Sequence, residues 1–234
     1  GLLGTGGALV PVRAALEDGE FLLVNGDCVH AIDYAGIVAR HRDSGADATL
    51  AVRPRGERGF GALRVDARGE IVAWSVPCEG RDDERHFLSV QVVSPGLFEW
   101  LPGGGAFSSF ADWYPRAQQA GRRFVAHETE AEWHALDTRE LYLASCADWL
   151  ARRGLASWLD PRAEVAASAR IGPGCAVHAG ARIGARAVLE RSAILEGARV
   201  GDGAHVVDSL VGPRATVPAD AHVVQRLIGA EPRA

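Results

Sequence analysis

Between Val165 and Val223 branched aliphatics fall at Val165, Ile171, Val177, Ile183, Leu189, Ile194, Val200, Val206, Val211, Val217 and Val223. Every step is six residues except Leu189 to Ile194 and Val206 to Val211, which are five. Four residues after each of the first ten aliphatics stands Ala169, Cys175, Ala181, Ala187, Ala193, Ala198, Ala204, Leu210, Ala215 or Ala221, so nine of the ten places hold a small side chain. A helix repeats every 3.6 residues and a strand every two, and neither produces this spacing. A solenoid whose short rungs turn a corner every six residues does, with the aliphatic and the small residue both turned inward.

The pattern resembles the hexapeptide repeat of left-handed parallel β-helices, with Gly172, Gly184, Gly201 and Gly212 at corners. The resemblance implies about three triangular coils of three rungs and assigns residues 160–228 to such a helix. Coils of this kind serve as acyltransferases, as lids or as oligomerisation surfaces. His178, His205 and His222, one or five residues after repeat aliphatics, are the candidates an acyltransferase would use.

Residues 1–154 follow a different rhythm. Phe21 to Val24 reads as a buried strand that delivers the loop Asn25-Gly26-Asp27. Asp33 can cap a helix over Tyr34 to Ser44, with Gly45 as its stop, and Thr49 to Val52 reads as the next strand. This β-α-β text predicts parallel strands joined by a helical crossover. Phe60 to Val65 and Ile71 to Val76 flank the hairpin turn Asp66-Ala67-Arg68-Gly69. A strand at Phe87 to Val93, helical text at Pro95 to Leu101 and Phe110 to Ala120, strands at Arg123 to His127 and Trp133 to Leu136, and a helix over Thr138 to Arg153 complete the region. The fold class is α/β: a partial Rossmann-like domain with parallel and antiparallel pairing, followed by the short β-helix.

Composition narrows the function. With 47% apolar and 24% charged residues the chain is globular rather than disordered. Its net charge of -5, with arginines spread along the chain, argues against a nucleic-acid scaffold. No apolar run is long enough to cross a bilayer, and no signal-peptide pattern opens the chain, so the cytoplasm is the expected compartment. Cys28, Cys78, Cys146 and Cys175 form no CxxC pair, so neither a disulfide frame nor a zinc site is expected. The chain contains neither Met nor Lys, and opening on Gly1 it reads as processed or as a fragment.

Three pieces suit a nucleotide. Gly4-Thr5-Gly6-Gly7 is a glycine-rich loop whose backbone a base or phosphate can approach closely. Asp27 lies just past the end of a strand, where open α/β sheets bind ligands. Gly61 opens a strand where a sugar could lie against the backbone, or where a bulge could form.

Gly-Thr-Gly-Gly, a strand ending in Asn-Gly-Asp, a β-α-β unit, the Gly-Phe-Gly of residues 59–61, the strand Phe87-Leu88-Ser89-Val90-Gln91-Val92-Val93, and Trp133-His134-Ala135-Leu136-Asp137-Thr138 follow in order. In this order, and with the β-helix behind them, they resemble the sugar-1-phosphate nucleotidyltransferases of the mannose-1-phosphate guanylyltransferase and glucose-1-phosphate thymidylyl- or uridylyltransferase type. The resemblance implies transfer of a nucleotidyl group from a nucleoside triphosphate to a sugar-1-phosphate with release of pyrophosphate. It implies Mg²⁺ held by Asp27, the nucleotide cradled by Gly4, Thr5, Gly6 and Gly7, and the sugar against Gly61. The β-helix offers a surface for homo-oligomerisation, and neither a nucleic-acid polymer nor a membrane is an expected partner.

The chain departs from the family pattern at four places. The family's first glycine-rich signature, with its Arg and Lys, would precede Gly1. Ser75-Val76-Pro77 stands where the family has Glu-Lys-Pro, and Leu88-Ser89 where it has a polar residue and Ala or Gly. Ala135 stands where the second metal carboxylate belongs, with Asp137 two residues on as a shifted substitute or a helix cap. These departures set a second expectation beside the enzyme: a catalytically impaired homologue acting as a regulatory or assembly subunit. A hexapeptide acyltransferase is the third.

Overall fold

The computed structural model describes residues 1–54 and 61–230, so Phe60 lies outside the described residues. The chain divides into two compact units, Gly1–Trp133 and His134–Ala234. The sequence puts the change near residue 154, where the repeat text begins.

In the first unit a short helix, α1 (Gly4–Gly7), precedes the strands β1 (Phe21–Val24) and β2 (Cys28–His30) and the helix α2 (Tyr34–Ser44). There follow β3 (Ala48–Pro54), β4 (Gly61–Val65), β5 (Ile71–Pro77) and β6 (Glu84–Val93), then α3 (Tyr114–Gln119) and β7 (Phe124–Glu128). Asp33 caps α2 by accepting the amide of Ala35 at 3.0 Å, and Gly45 ends it in the left-handed conformation (φ +59°). The turn at residues 66–69 closes as the sequence requires: Asp66 Oδ1 accepts the amides of Arg68 and Glu70, and Gly69 takes φ +82°.

β6 organises the main sheet, whose order is β5-β4-β6-β3-β7, with β1 also on β6. Gln91 to Val93 pair with β1 on one side and with β3 on the other, both antiparallel. Hence β1 and β3 run parallel, as a helical crossover demands, but β6 lies between them. Among the described residues only β7 pairs with β3 in parallel. β1 is therefore an edge strand, not the buried one its apolar text suggests: Leu22 and Val24 are 37% and 36% exposed. The core packs β3, β4 and the start of β5 against Leu97, Phe98, Trp113, Tyr114 and Phe124, all buried. His41 is also interior, its ring between the hydroxyls of Thr49 (3.0 Å) and Ser94 (2.9 Å), and burial lowers its pKa.

In the second unit thirteen short strands, from Trp158–Leu159 to Leu227–Ile228, form three parallel sheets wound as a solenoid of about four turns. The sequence period accounts for about three. The ladder extends one rung in each direction, to Leu159 and Ile228, because the same spacing continues there on less buried side chains. Val165 pairs with Ile183, 18 residues on, whereas Ile183 pairs with Val200 and Val200 with Val217, each 17 on. The short coils arise at the five-residue steps. There Arg191, Asp208 and Gln225 stack with φ of +43°, +47° and +52°, and Arg191 grips Asp208 through two hydrogen bonds of 2.6 and 2.9 Å. Beneath them Ser192 Oγ accepts the amide of Ser209, and Ser209 Oγ accepts the amide of Arg226, which satisfies backbone groups inside the wall.

The inward aliphatics and alanines form one buried core. The outward side of one sheet is also covered. Helix α4 (Arg139–Arg152), capped by Thr138 Oγ1 on the amide of Leu141, lays Tyr142, Leu143 and Cys146 against Ala176, Ala193 and Leu210. That packing is why the helix belongs with the solenoid. Burial there pushes the Cys146 thiol up to about 11, so it stays protonated and unreactive near neutral pH. All four cysteines are free thiols. No helix among the described residues is long and apolar enough to cross a membrane.

Candidate functional site

The glycine-rich segment is a short helix rather than an open loop, because it is docked on residues 107–109. Phe107 O accepts the amides of Gly6 (3.1 Å) and Gly7 (3.3 Å), Phe107 N donates to Leu3 O (3.0 Å), and Ser109 N donates to Thr5 Oγ1 (3.0 Å). A Cβ on Gly6 would lie 2.5 Å from the Phe107 ring, and one on Gly7 2.7 Å from Gly105 O, so glycine at both positions is a packing requirement. Gly6 and Gly7 are buried; Gly4 and Thr5 form the exposed half of the segment.

Asn25-Gly26-Asp27 leaves the end of β1 beside a kink in β6. Ser89 takes φ +63°, its carbonyl accepts Asn25 N at 3.0 Å, and Asn25 Nδ2 lies 3.5 Å from Ser89 Oγ. Asp27 itself is exposed, and no hydrogen bond or ion pair joins its carboxylate to another described residue. Gly61 opens β4 opposite Pro77 of β5, and a Cβ there would sit 3.5 Å from Ser75 Cα. The structure thus brings Gly61 and Ser75-Val76-Pro77 onto one ladder. An alanine fits at Gly61 without strain, so no steric demand for glycine exists there.

Residues 107–110 connect these pieces. Phe110 lies 5.4 Å from Trp74, the neighbour of Ser75, and 4.9 Å from Phe87, two residues before Ser89, while Ser109 holds Thr5. The glycine segment, the β4–β5 ladder and the kinked part of β6 are therefore linked through residues 107–110. Asp137 belongs to the other unit, on the exposed stretch before the Thr138 cap, and the residue is not without a partner. The cap of α4 is thus Thr138 and not Asp137. Ala135 is buried. Among the described residues no group of three or more His, Cys, Asp or Glu is arranged to hold a metal ion. The chemistry of Asp27, a single unpartnered carboxylate in the open, fits one oxygen ligand of a hard cation whose remaining ligands are water and phosphate.

Of the histidines in the solenoid, His178 is half-buried with its ring edge-on to Trp158 at 5.3 Å, and burial lowers its pKa. His205 and His222 face each other in register on adjacent coils, their centroids 4.7 Å apart.

Sequence reasoning missed Glu84. Its carboxylate is fully buried and accepts the amides of Glu79 (2.9 Å), Gly80 (2.8 Å) and Arg81 (3.1 Å), with the Cys78 thiol at 3.5 Å. It thereby fixes the chain as it leaves Ser75-Val76-Pro77. These bonds, the Glu79 amide foremost, hold its carboxyl below the ordinary glutamate value of 4.5. A depressed carboxyl contributes stability that is complete above the unfolded value and is lost as pH falls through the folded one. The thermal midpoint of the protein should fall on acidification below about pH 4.5, and that of Glu84→Gln should start lower and fall less. Parallel curves for the two proteins would contradict this role. The missed segment 107–110 had a visible signal: Ser108, whose Oγ accepts the amides of Phe110 and Ala111, is a helix-capping residue ahead of an aromatic run.

Residues 156–232 match the model of the family described as GMPPB C-terminal domain. A mannose-1-phosphate guanylyltransferase of Mycobacterium tuberculosis is 27% identical over 66% of this chain and 43% of its own length. The small subunit of a chloroplastic/amyloplastic glucose-1-phosphate adenylyltransferase of Triticum aestivum is 25% identical over 53% of this chain and 32% of its own. The chain therefore spans less than half the length of these relatives. Two crystal structures of HddC from Yersinia pseudotuberculosis, one complexed with GMP-PN, share its fold at 22% identity over 64% of each chain, with TM-scores of 0.52 for the complex and 0.53 for the other. Residues 156–232 thus resemble the GMPPB C-terminal domain, and a mixed sheet followed by a parallel solenoid fits the sugar-1-phosphate nucleotidyltransferases to which the chain is similar.

Proposed function

We propose that this protein transfers a nucleotidyl group from a nucleoside triphosphate to a sugar-1-phosphate. A phosphate oxygen of the sugar-1-phosphate attacks the α-phosphorus and forms a new P–O bond. The bond from that phosphorus to the oxygen bridging to the β-phosphate breaks, and pyrophosphate leaves with the electron pair. The observation that carries this reading is that residues 107–110 bond to Gly4-Thr5-Gly6-Gly7 and, through Phe110, pack on Trp74 of the Gly61 ladder and on Phe87 ahead of the Ser89 kink, to which Asn25 of the Asp27 loop is hydrogen-bonded.

Gly4 and Thr5 present the open side of the glycine segment to the nucleotide, with Gly6 and Gly7 anchoring it from beneath. Gly61 offers a side-chain-free floor for the sugar. Asp27 is the residue that would hold Mg²⁺. Bound Mg²⁺ supplies neutralisation of phosphate charge. The test is pyrophosphate release from a panel of sugar-1-phosphates and nucleoside triphosphates with Mg²⁺. Turnover with one pair is expected, and its absence across the panel, with no nucleotide bound, would overturn the reading.

A second reading rests on Ser75, Val76 and the buried Ala135, which stand where charged residues are expected. It makes the protein a regulatory or assembly subunit that keeps the fold and nucleotide binding without turnover. Nucleotide binding with no pyrophosphate release in the same assay would favour it.

A further inference from the structure

Residues 107–110 touch both halves of the candidate site, and their bonds to the glycine segment are backbone bonds that no side-chain motif announces. The single exception is the acceptor Thr5 Oγ1, which holds the amide of Ser109 at 3.0 Å. Ser109 is 2% exposed and its own hydroxyl has no hydrogen-bond partner, so its contribution is the N–H and not the side chain. On the far side Phe110 packs on Trp74 and Phe87, which adjoin the strand positions assigned to the sugar.

We propose that residues 107–110 are a positioning strap that sets the nucleotide-facing Gly4-Thr5 at a fixed place relative to the sugar edge, acting through the Ser109 N–H and the Phe107 carbonyl. The inference rests on the nucleotidyltransferase reading above. Without the strap bond the glycine segment still packs on Phe107, but its exposed half is held only from one side. The substrate that loses affinity is then the nucleotide, because the sugar positions lie on β4, β5 and β6 and keep their own ladder.

The two Ser109 groups can be separated. Ser108 has extended dihedrals (φ -90°, ψ +139°) and Ser109 opens the helical turn Ser109–Trp113, which is a position that accepts proline. Ser109→Pro removes the N–H, whereas Ser109→Ala removes only the partnerless hydroxyl. Ser109→Pro should raise KM for the nucleoside triphosphate about tenfold, the size of one lost hydrogen bond. KM for the sugar-1-phosphate should stay within about twofold, as should both constants in Ser109→Ala. Thr5→Val breaks the same bond from the other end without altering the backbone. It should reproduce the proline effect. Amide exchange at Gly6 and Gly7 should quicken in Ser109→Pro and Thr5→Val alone. An unchanged nucleotide KM in both variants, or equal effects of Ser109→Ala and Ser109→Pro, overturns the strap while leaving the nucleotidyltransferase reading intact. Failure of the wild-type protein to bind any nucleoside triphosphate overturns both.

Discussion

Asp27→Asn should lower the rate of nucleotidyl transfer at least about a hundredfold and leave the thermal midpoint unchanged. The first half follows from charge. Losing a single charge-stabilising contact at a developing phosphoryl transition state typically costs about 3 to 4 kcal/mol, which is two to three powers of ten in rate. The second half follows from the structure: the Asp27 carboxylate is exposed and bonds to no other described residue, so nothing in the folded state depends on it. The two measurements together, pyrophosphate release and thermal unfolding, separate a lost ligand from a lost fold. A rate within about threefold of wild type would remove Asp27 from the chemistry, since a threefold change corresponds to well under 1 kcal/mol. A large fall in the midpoint would instead mean that the asparagine disturbs the β1 turn.

The largest expected effect on stability lies at Gly201. A Cβ there would stand 2.4 Å from the backbone N of Ala219, 2.7 Å from its Cα and 2.8 Å from the carbonyl carbon of Pro218. All three atoms are main chain of the next coil, so no side-chain rotation can make room. The coils would have to part where Gly201 N donates to Val217 O at 2.9 Å. Gly201→Ala should therefore cost about 3 kcal/mol, at the upper end for overpacking, and lower the thermal midpoint by roughly 10 °C. Gly96→Ala is the control: its Cβ would meet nothing within 4 Å and its φ is not positive, so a change within about 0.5 kcal/mol is expected. Equal midpoints for the two variants would show that neighbouring coils can separate freely at that corner.

The solenoid was legible in the sequence because each rung reports its own burial: an inward aliphatic, a small residue four places on, and a corner. Even its end rungs at Leu159 and Ile228 keep the spacing, although partial exposure blurs them. The sheet was legible as strands but not as an order. That β6 separates β1 from β3 depends on pairing between residues some seventy positions apart along the chain, which periodicity does not encode. For the same reason β1 read as buried when it is an edge.

Within the candidate site the legible residues were those with a local signature. Asp27 ends a strand, and Gly4 to Gly7 cluster. The half of that cluster that is anchored, and what anchors it, was hidden, because the bond from Ser109 to Thr5 spans 104 positions. Glu84 was invisible for a different reason: a lone Glu among Arg81, Asp82, Asp83 and Arg85 reads as one more surface charge until the loop folds its amides around it.

The 17-residue registry of the later coils makes the length of the solenoid a whole-number quantity. Excising residues 191–207 would join Glu190 to Asp208-Ser209 and rebuild the same corner from equivalent residues. Helix α4 packs Tyr142, Leu143 and Cys146 on the successive rungs at Ala176, Ala193 and Leu210, so a solenoid that lost one of these coils would leave part of the helix's apolar face uncovered.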